Sequence, residues 1–244
     1  MSDKSLLFYE RIVALQADAH RQLRIQASPR GMAFARITHS VLLAATELPM
    51  AALDYPCVFV STPTGLALIA LLGVRDGENL MVEADGRWAE HRYVPAFIRR
   101  YPFILAEAAG QPDMTVCIDE AYDGCSQTEG EALFDAQGQP SAYLRQVQDL
   151  LVGFHRDLAL TSQWVRELEQ LDLLVERNIG HEHNGQRTVL QGFKVVDETK
   201  LKSLPPETVQ GLFASGAMGW IYTHLLSMNN VTKLGWRLDA RLAN

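Results

Sequence analysis

The segment at residues 93–103 reads Tyr93-Val94-Pro95-Ala96-Phe97-Ile98-Arg99-Arg100-Tyr101-Pro102-Phe103. Pro95 suits the first turn of a helix, because the N–H that proline lacks has no partner there. Pro102 stops that helix and biases Tyr101 toward an extended conformation. The segment therefore predicts a helix of under two turns, and packing must hold it, since so short a helix is not stable by itself.

Aromatic side chains crowd this segment, and two adjacent arginines lie in its middle. Glu47 lies in an apolar stretch, where a buried carboxylate needs a partner, and Arg99 or Arg100 could supply a bidentate one. This predicts either a buried ion pair that fixes the short helix or an anion pocket with aromatic walls. The candidate ligand-binding residues are His39, Glu47, Trp88, Tyr93, Phe97, Arg99, Arg100 and Tyr101.

Composition narrows the class of protein. The chain has 244 residues, of which 48% are hydrophobic and 21% charged, as in ordinary soluble globular proteins. A net charge of −7 argues against a general nucleic-acid binder, which needs a basic face. The three cysteines lack zinc-site spacing, and Cys57 and Cys117 lie in apolar runs typical of core positions. We therefore predict no metal and no cofactor.

The chain also shows no targeting or membrane signal. Glu10 and Arg11 interrupt the apolar residues near the N-terminus, so no secretory signal is recognisable. The most apolar late stretch, residues 212–228, contains Ser215, His224 and Ser227 and falls short of a membrane span of about 20 residues. These features predict a cytoplasmic protein without a membrane span.

Strand signals dominate the first half of the chain. Apolar runs at residues 57–60 and 66–74 flank a turn, and residues 79–83 and 87–90 flank Asp85-Gly86, a strong hairpin signal. Four strands at such short spacing predict an antiparallel β meander.

Helix signals dominate the second half. Apolar residues recur every three or four positions over residues 141–173, which predicts a long helix or a helix pair with a possible break at Gly153. A hairpin turning at Asn184-Gly185 follows, then a helix capped by Asp197 and a C-terminal helical cluster. The fold class is α+β, and we expect a single domain over residues 1–244, β-rich at 1–139 and helix-rich at 140–244.

Other polar patterns favour structural roles. His181-Glu182-His183 lies in a predicted turn, and His155 and Asp157 lie on a predicted helix, where positions two apart point in different directions. The acidic pair Asp119-Glu120 could do acid–base work or cap a turn. The common nucleotide-binding and hydrolase motifs are absent from the sequence.

Several strings together resemble the bacterial SapC family, over most of the chain. The most specific is Arg92-Tyr-Val-Pro-Ala-Phe-Ile-Arg-Arg-Tyr-Pro-Phe. Others are His20-Arg-Gln-Leu-Arg-Ile, Tyr55-Pro-Cys-Val-Phe, Gly73-Val-Arg-Asp-Gly-Glu-Asn-Leu, Gly192-Phe-Lys-Val-Val-Asp-Glu and Ile221-Tyr-Thr-His-Leu-Leu-Ser. The resemblance implies a link to surface layers, and some family members are labelled peptide-transport permeases. It brings no catalytic residues.

Three functional hypotheses remain open. The first is a non-enzymatic binding or accessory protein that takes a protein or peptide partner or a small anionic ligand at the candidate residues. The second is a metal-dependent enzyme, with oxygenase-like chemistry as one option, since family members resemble proteins whose genes lie beside flavin halogenases and cupin-type oxygenases. Its ligands would come from His20, His39, Glu47 and Asp119. The third is a structural surface component.

Overall fold

The computed structural model describes residues 6–107, 114–183 and 186–243. They form two compact units, and each unit draws on both halves of the chain. Unit one comprises residues 1–35, 84–87 and 96–155, and unit two comprises residues 36–83, 88–95 and 156–244. The expectation of a single domain stays a prediction. The α+β fold class is confirmed, with antiparallel sheets in the first half and helices in the second.

Unit one contains two small antiparallel sheets. The first has the order β1 (Ile12–Ala14), β7 (Met114–Asp119), β6 (Phe103–Glu107). The second has the order β8 (Cys125–Ser126), β2 (Arg24–Ile25), β9 (Glu131–Ala132). Their apolar faces share a core with the first turns of the long helix α3 (Ala142–Gln170), which contributes Leu144 and Leu151.

The predicted short helix is present as α2 (Ala96–Arg99). The Arg100 N–H bonds the Ala96 carbonyl at 2.9 Å, and the Phe103 N–H bonds the Arg100 carbonyl at 2.7 Å, which closes the turn into β6. The Tyr101–Pro102 peptide bond between them is cis. The predicted proline boundaries of this helix are confirmed.

Unit two is built on a five-stranded antiparallel sheet. Its order is β10 (Leu174–His183), β11 (Gln186–Val196), β4 (Cys57–Thr62), β5 (Gly65–Leu71), β3 (Ser40–Leu42). The strands on both sides of the predicted Asn184-Gly185 turn are confirmed, while the turn itself lies outside the described residues.

The predicted meander is shorter than expected. The strands expected at residues 79–83 and 87–90 are wrong, because that part of the described chain holds only an isolated antiparallel bridge between Val82 and Trp88. The Leu80 N–H bonds the Leu72 carbonyl and the Ala89 N–H bonds the Met81 carbonyl, so the backbone makes single bonds to separate segments and no continuous ladder.

The helical predictions hold more closely. Helix α3 runs through Gly153 without a break, and its later turns bury Trp164 and Leu168 in unit two. Asp197 caps α4 (Glu198–Lys202) by accepting bonds from two backbone N–H groups. The other helices are α1 (Leu48–Ala51), α5 (Pro206–Ala214), α6 (Ala217–Ser227) and α7 (Asn230–Leu242).

Candidate functional site

The predicted site residues divide between the two units. Unit one holds Phe97, Arg99, Arg100 and Tyr101, and unit two holds His39, Glu47, Trp88 and Tyr93. Because Glu47 and the two arginines belong to different units, the predicted ion pair between them stays a prediction.

Arg100 is the partly buried arginine of the pair, while Arg99 is exposed. The Arg100 guanidinium carbon lies 4.2 Å from the centroid of the Phe97 ring and 5.7 Å from that of Phe154 on α3. Its Nε atom is buried without a hydrogen-bond partner among the described residues, and the Tyr9 hydroxyl is a polar neighbour of the guanidinium. Burial lowers the pKa of Arg100, because a low-polarity environment disfavours the charged form. The result is a cation between two rings.

Aromatic packing surrounds Tyr101 in unit one. Its ring lies 4.3 Å from that of Phe34 and 5.2 Å from that of Tyr9, measured between centroids. Phe8 packs edge-on against Phe97 at 5.8 Å. Packing therefore surrounds the short helix, and the rings of Phe8 and Tyr9 from the N-terminal segment contribute to it.

Asp119 is a fully buried carboxylate at the end of β7. It accepts backbone N–H bonds from Glu10 at 3.0 Å, Arg11 at 2.9 Å and Ala121 at 3.0 Å. The Tyr101 hydroxyl donates a fourth bond at 3.2 Å, and burial and the negative charge of Asp119 both raise the pKa of Tyr101. This carboxylate ties the N-terminal segment to β7, a structural role.

Glu47 is buried in unit two, as its apolar surroundings predict, with 8% of its surface exposed. Its Oε1 accepts the Tyr93 hydroxyl at 2.8 Å, and its Oε2 accepts the N–H of Ala44 at 3.0 Å. The second bond caps the short 3-10 turn of residues Ala45–Glu47. Two of the predicted site residues, Glu47 and Tyr93, thus touch directly.

Trp88 joins the same group through Tyr93. The Trp88 indole N–H lies 3.1 Å from the Tyr93 carbonyl oxygen and 3.2 Å from the Tyr55 hydroxyl. The Tyr55 hydroxyl also donates to the Tyr93 carbonyl. The backbone N–H of Tyr93 bonds Asp54 at 2.8 Å, and Arg92 pairs with the other oxygen of Asp54. These bonds fix the chain at Tyr93 and orient its hydroxyl toward Glu47.

His39 does not join this group through any contact that the described residues show. Its Nδ1 lies 3.1 Å from a carboxylate oxygen of Asp76, a fully exposed residue. Exposed pairs of this kind contribute little to stability. Among the candidate residues, His39 therefore has the least structural support for a role in ligand binding.

The residues of the metal hypothesis divide between the two units, with His20 and Asp119 in unit one and His39 and Glu47 in unit two. The His20 Nε2 is 3.4 Å from Glu120, and its Nδ1 contacts the backbone of Gln16. Asp119 is saturated by the donors named above. Within residues 6–107, 114–183 and 186–243, no group of three or more His, Cys, Asp or Glu side chains could hold a metal ion.

Polar residues of α6 and α7 have a structural role that the sequence analysis missed. The Nε2 of His224 accepts the Val196 N–H at 3.0 Å, and the hydroxyl of Ser227 accepts the Cys57 N–H at 3.0 Å. The Asn230 side-chain amide donates to the Ala52 carbonyl at 2.7 Å. His224, Ser227 and Asn230 follow one another at intervals of three residues in an apolar stretch. This spacing was a signal in the sequence for a shared role, since polar residues at that interval share a helix face.

Comparisons with known proteins give a family and nothing finer. No described helix has both the length and the apolar character needed to cross a membrane. No curated protein and no solved structure matches the chain. The family model described as SapC matches residues 15–234. This match covers most of the sequence, including the short arginine-bearing helix and the polar residues of α6, so the chain belongs to the SapC family.

Proposed function

We propose that this SapC-family protein is a non-enzymatic binding or accessory protein that recognises a carboxylate, either on a small molecule or on an acidic peptide. The observation that carries the proposal is the state of Arg100. Its guanidinium lies between two aromatic rings, and none of the ion pairs seen among the described residues includes it.

Among the described residues, Arg100 leaves part of its hydrogen-bonding capacity unused. A guanidinium carries five N–H donors in a planar fork that matches a carboxylate, and a partly buried cation without a charged partner is costly. The Tyr9 hydroxyl offers Arg100 only a neutral partner. A ligand carboxylate would supply the missing charge, and the rings of Phe97 and Phe154 would hold the fork in place.

Calorimetric titration tests this proposal with two probes, succinate and a penta-glutamate peptide, at low ionic strength. We expect saturable binding of at least one probe, weakened at least tenfold by Arg100→Gln because a charge-assisted bidentate bond is lost. Arg145→Gln is the matched control, since Arg145 is an exposed arginine of α3 in the same unit. Absence of binding by both probes, or equal loss in the control, would overturn the proposal.

A metal-dependent enzyme is the competing hypothesis, and elemental analysis of the purified protein separates the two. Stoichiometric iron or zinc would overturn the non-enzymatic assignment. We further propose a cytoplasmic location, and cell fractionation with an antibody to the native protein tests it. Detection at the cell surface would favour the surface component that the family name suggests.

A further inference from the structure

Unit two contains a concave surface that is lined by none of the eight candidate residues. It has a volume of about 550 Å³ and runs between the start of β5 and the outer turns of α3. Leu66 and Leu68 line it from the strand, and Leu158 and Val165 line it from the helix. Thr62 at the end of β4 and Thr64 of the β4–β5 turn also line it.

Among the strand residues that line this groove, Leu66 of β5 has its backbone on an open part of the sheet edge. The Leu71 N–H bonds the Pro56 carbonyl on the β4 side, and the Leu43 N–H bonds the Leu68 carbonyl on the β3 side. In an antiparallel strand the N–H and the carbonyl of one residue point toward the same neighbouring strand. Those of the next residue point to the opposite side, so residues two apart, such as Leu66 and Leu68, face the same side. The N–H and carbonyl of Leu66 therefore point away from β4, toward the groove.

Strand β3 leaves this part of the edge uncovered. Its register with β5 runs from Ser40 opposite Leu71 to Leu42 opposite Ile69 and stops there. Three residues later the Ala45 N–H bonds the Thr161 hydroxyl on α3 at 2.7 Å, so the chain has left the sheet. Within the described chain, no hydrogen bond reaches the backbone of Leu66 from the open side.

We propose that an extended peptide segment of a partner protein adds to this edge as a strand, in line with β3. An open edge is a template for strand addition, and the backbone groups of Leu66 select an extended occupant over a helical one. The apolar walls would receive alternate side chains of the added strand. Arg166 and Glu169, both exposed on the helix wall, favour a segment that carries an acidic and a basic residue.

This docking edge is independent of the proposed carboxylate site, because it uses none of the same residues and lies in the other unit. Failure of one proposal leaves the other standing.

Fluorescence anisotropy with the full-length protein tests the docking edge. The probe is a labelled peptide of sequence Glu-Val-Thr-Val-Thr-Val-Lys with blocked ends. We expect saturable binding. Two further peptides carry N-methyl groups on every second backbone nitrogen, one at the odd positions and the other at the even positions. One of them should bind at least tenfold more weakly and the other less than threefold more weakly, because the N–H groups of only one set face the edge. No binding, or an equal effect of both sets, would overturn the proposal.

Two tryptophan variants of α3 provide the matched pair on the protein side. Ser162 is exposed and lines the groove, so Ser162→Trp should fill it and reduce peptide affinity at least tenfold. Leu160 is exposed on the same helix outside the groove, so Leu160→Trp should leave affinity unchanged. Unchanged binding in Ser162→Trp would contradict the proposal. Concentration-dependent dimerisation that only Ser162→Trp abolishes would also overturn it, since a second copy of the chain would then be the occupant.

Discussion

The Nδ1 atom of His224 lies 2.7 Å from the carbonyl oxygen of Cys57, a residue 167 positions earlier in the chain. Because the opposite ring nitrogen accepts the Val196 N–H, the imidazole is neutral with its proton on Nδ1. One side chain of α6 thereby satisfies backbone groups of both β4 and β11. The side chain of His224 is fully buried, so neither bond has water as a substitute.

Replacement of His224 by alanine should destabilise the protein by about 3 to 5 kcal/mol, because a cavity forms and two buried backbone groups lose their partner. Urea denaturation followed by circular dichroism measures the change. The control is Thr223→Ala on the same helix, where only an exposed hydroxyl bond is lost and a change under about 0.5 kcal/mol is expected. Equal effects would contradict the role given to His224.

Stability should fall as the pH is lowered from 6.5 toward 4. Burial lowers the pKa of His224 from 6.5 to about 4, so the unfolded state takes up the proton first. The contribution of His224 is fully present above pH 6.5 and is lost through this window, by an amount on the order of 3 kcal/mol. Denaturation midpoints across this range measure it. The dependence of stability on pH should flatten in His224→Leu. It should persist in the control variant His91→Gln, because His91 is exposed.

Conversion of Asp119 to asparagine should cost about 3 kcal/mol or more. The asparagine amide would point N–H groups at donors that now face a carboxylate, leaving some of them buried and unpaired. Asp123→Asn is the control, because its ion pair with exposed Arg30 contributes under about 1 kcal/mol. Thermal and urea denaturation measure both variants, and a small loss in Asp119→Asn would remove the structural role assigned to this carboxylate.

The contact between Tyr93 and Glu47 should appear as a coupling energy. Tyr93→Phe removes only the hydroxyl that donates to Glu47, and about 1 to 2 kcal/mol should be lost. A double-mutant cycle with Glu47→Gln measures the interaction itself, and a coupling near zero would show that the two groups act separately. Tyr222→Phe, at an exposed position of α6, is the control for hydroxyl removal.

Local signals in the sequence predicted local structure well. The two prolines bracket α2, the apolar period placed α3, and the position of Asp197 predicted the cap of α4. The turn predicted at Asp85-Gly86 is present, but the strands expected beside it are reduced to one bridge, because turn chemistry fixes the turn and cannot supply a continuous partner strand.

The candidate site was predictable in part. Burial of Glu47 followed from its apolar neighbours, but its contact with Tyr93 depends on how the chain returns after Trp88, which no local pattern encodes. The same holds for Tyr9, which reaches Arg100 and Tyr101 from near the N-terminus. Long-range packing decides such contacts, and a single sequence carries no direct signal for them.

The bonds from His224, Ser227 and Asn230 to residues 52–57 also set an order of events during synthesis. The ribosome releases Cys57 of β4 long before α6 exists, so the backbone groups of Cys57 lack these partners until translation is nearly finished. A nascent chain halted before residue 224 leaves the Cys57 carbonyl and the Val196 N–H without the bonds that His224 makes to them. We therefore expect early chain termination to yield an aggregation-prone product that depends on chaperones, even when only the last two helices are missing.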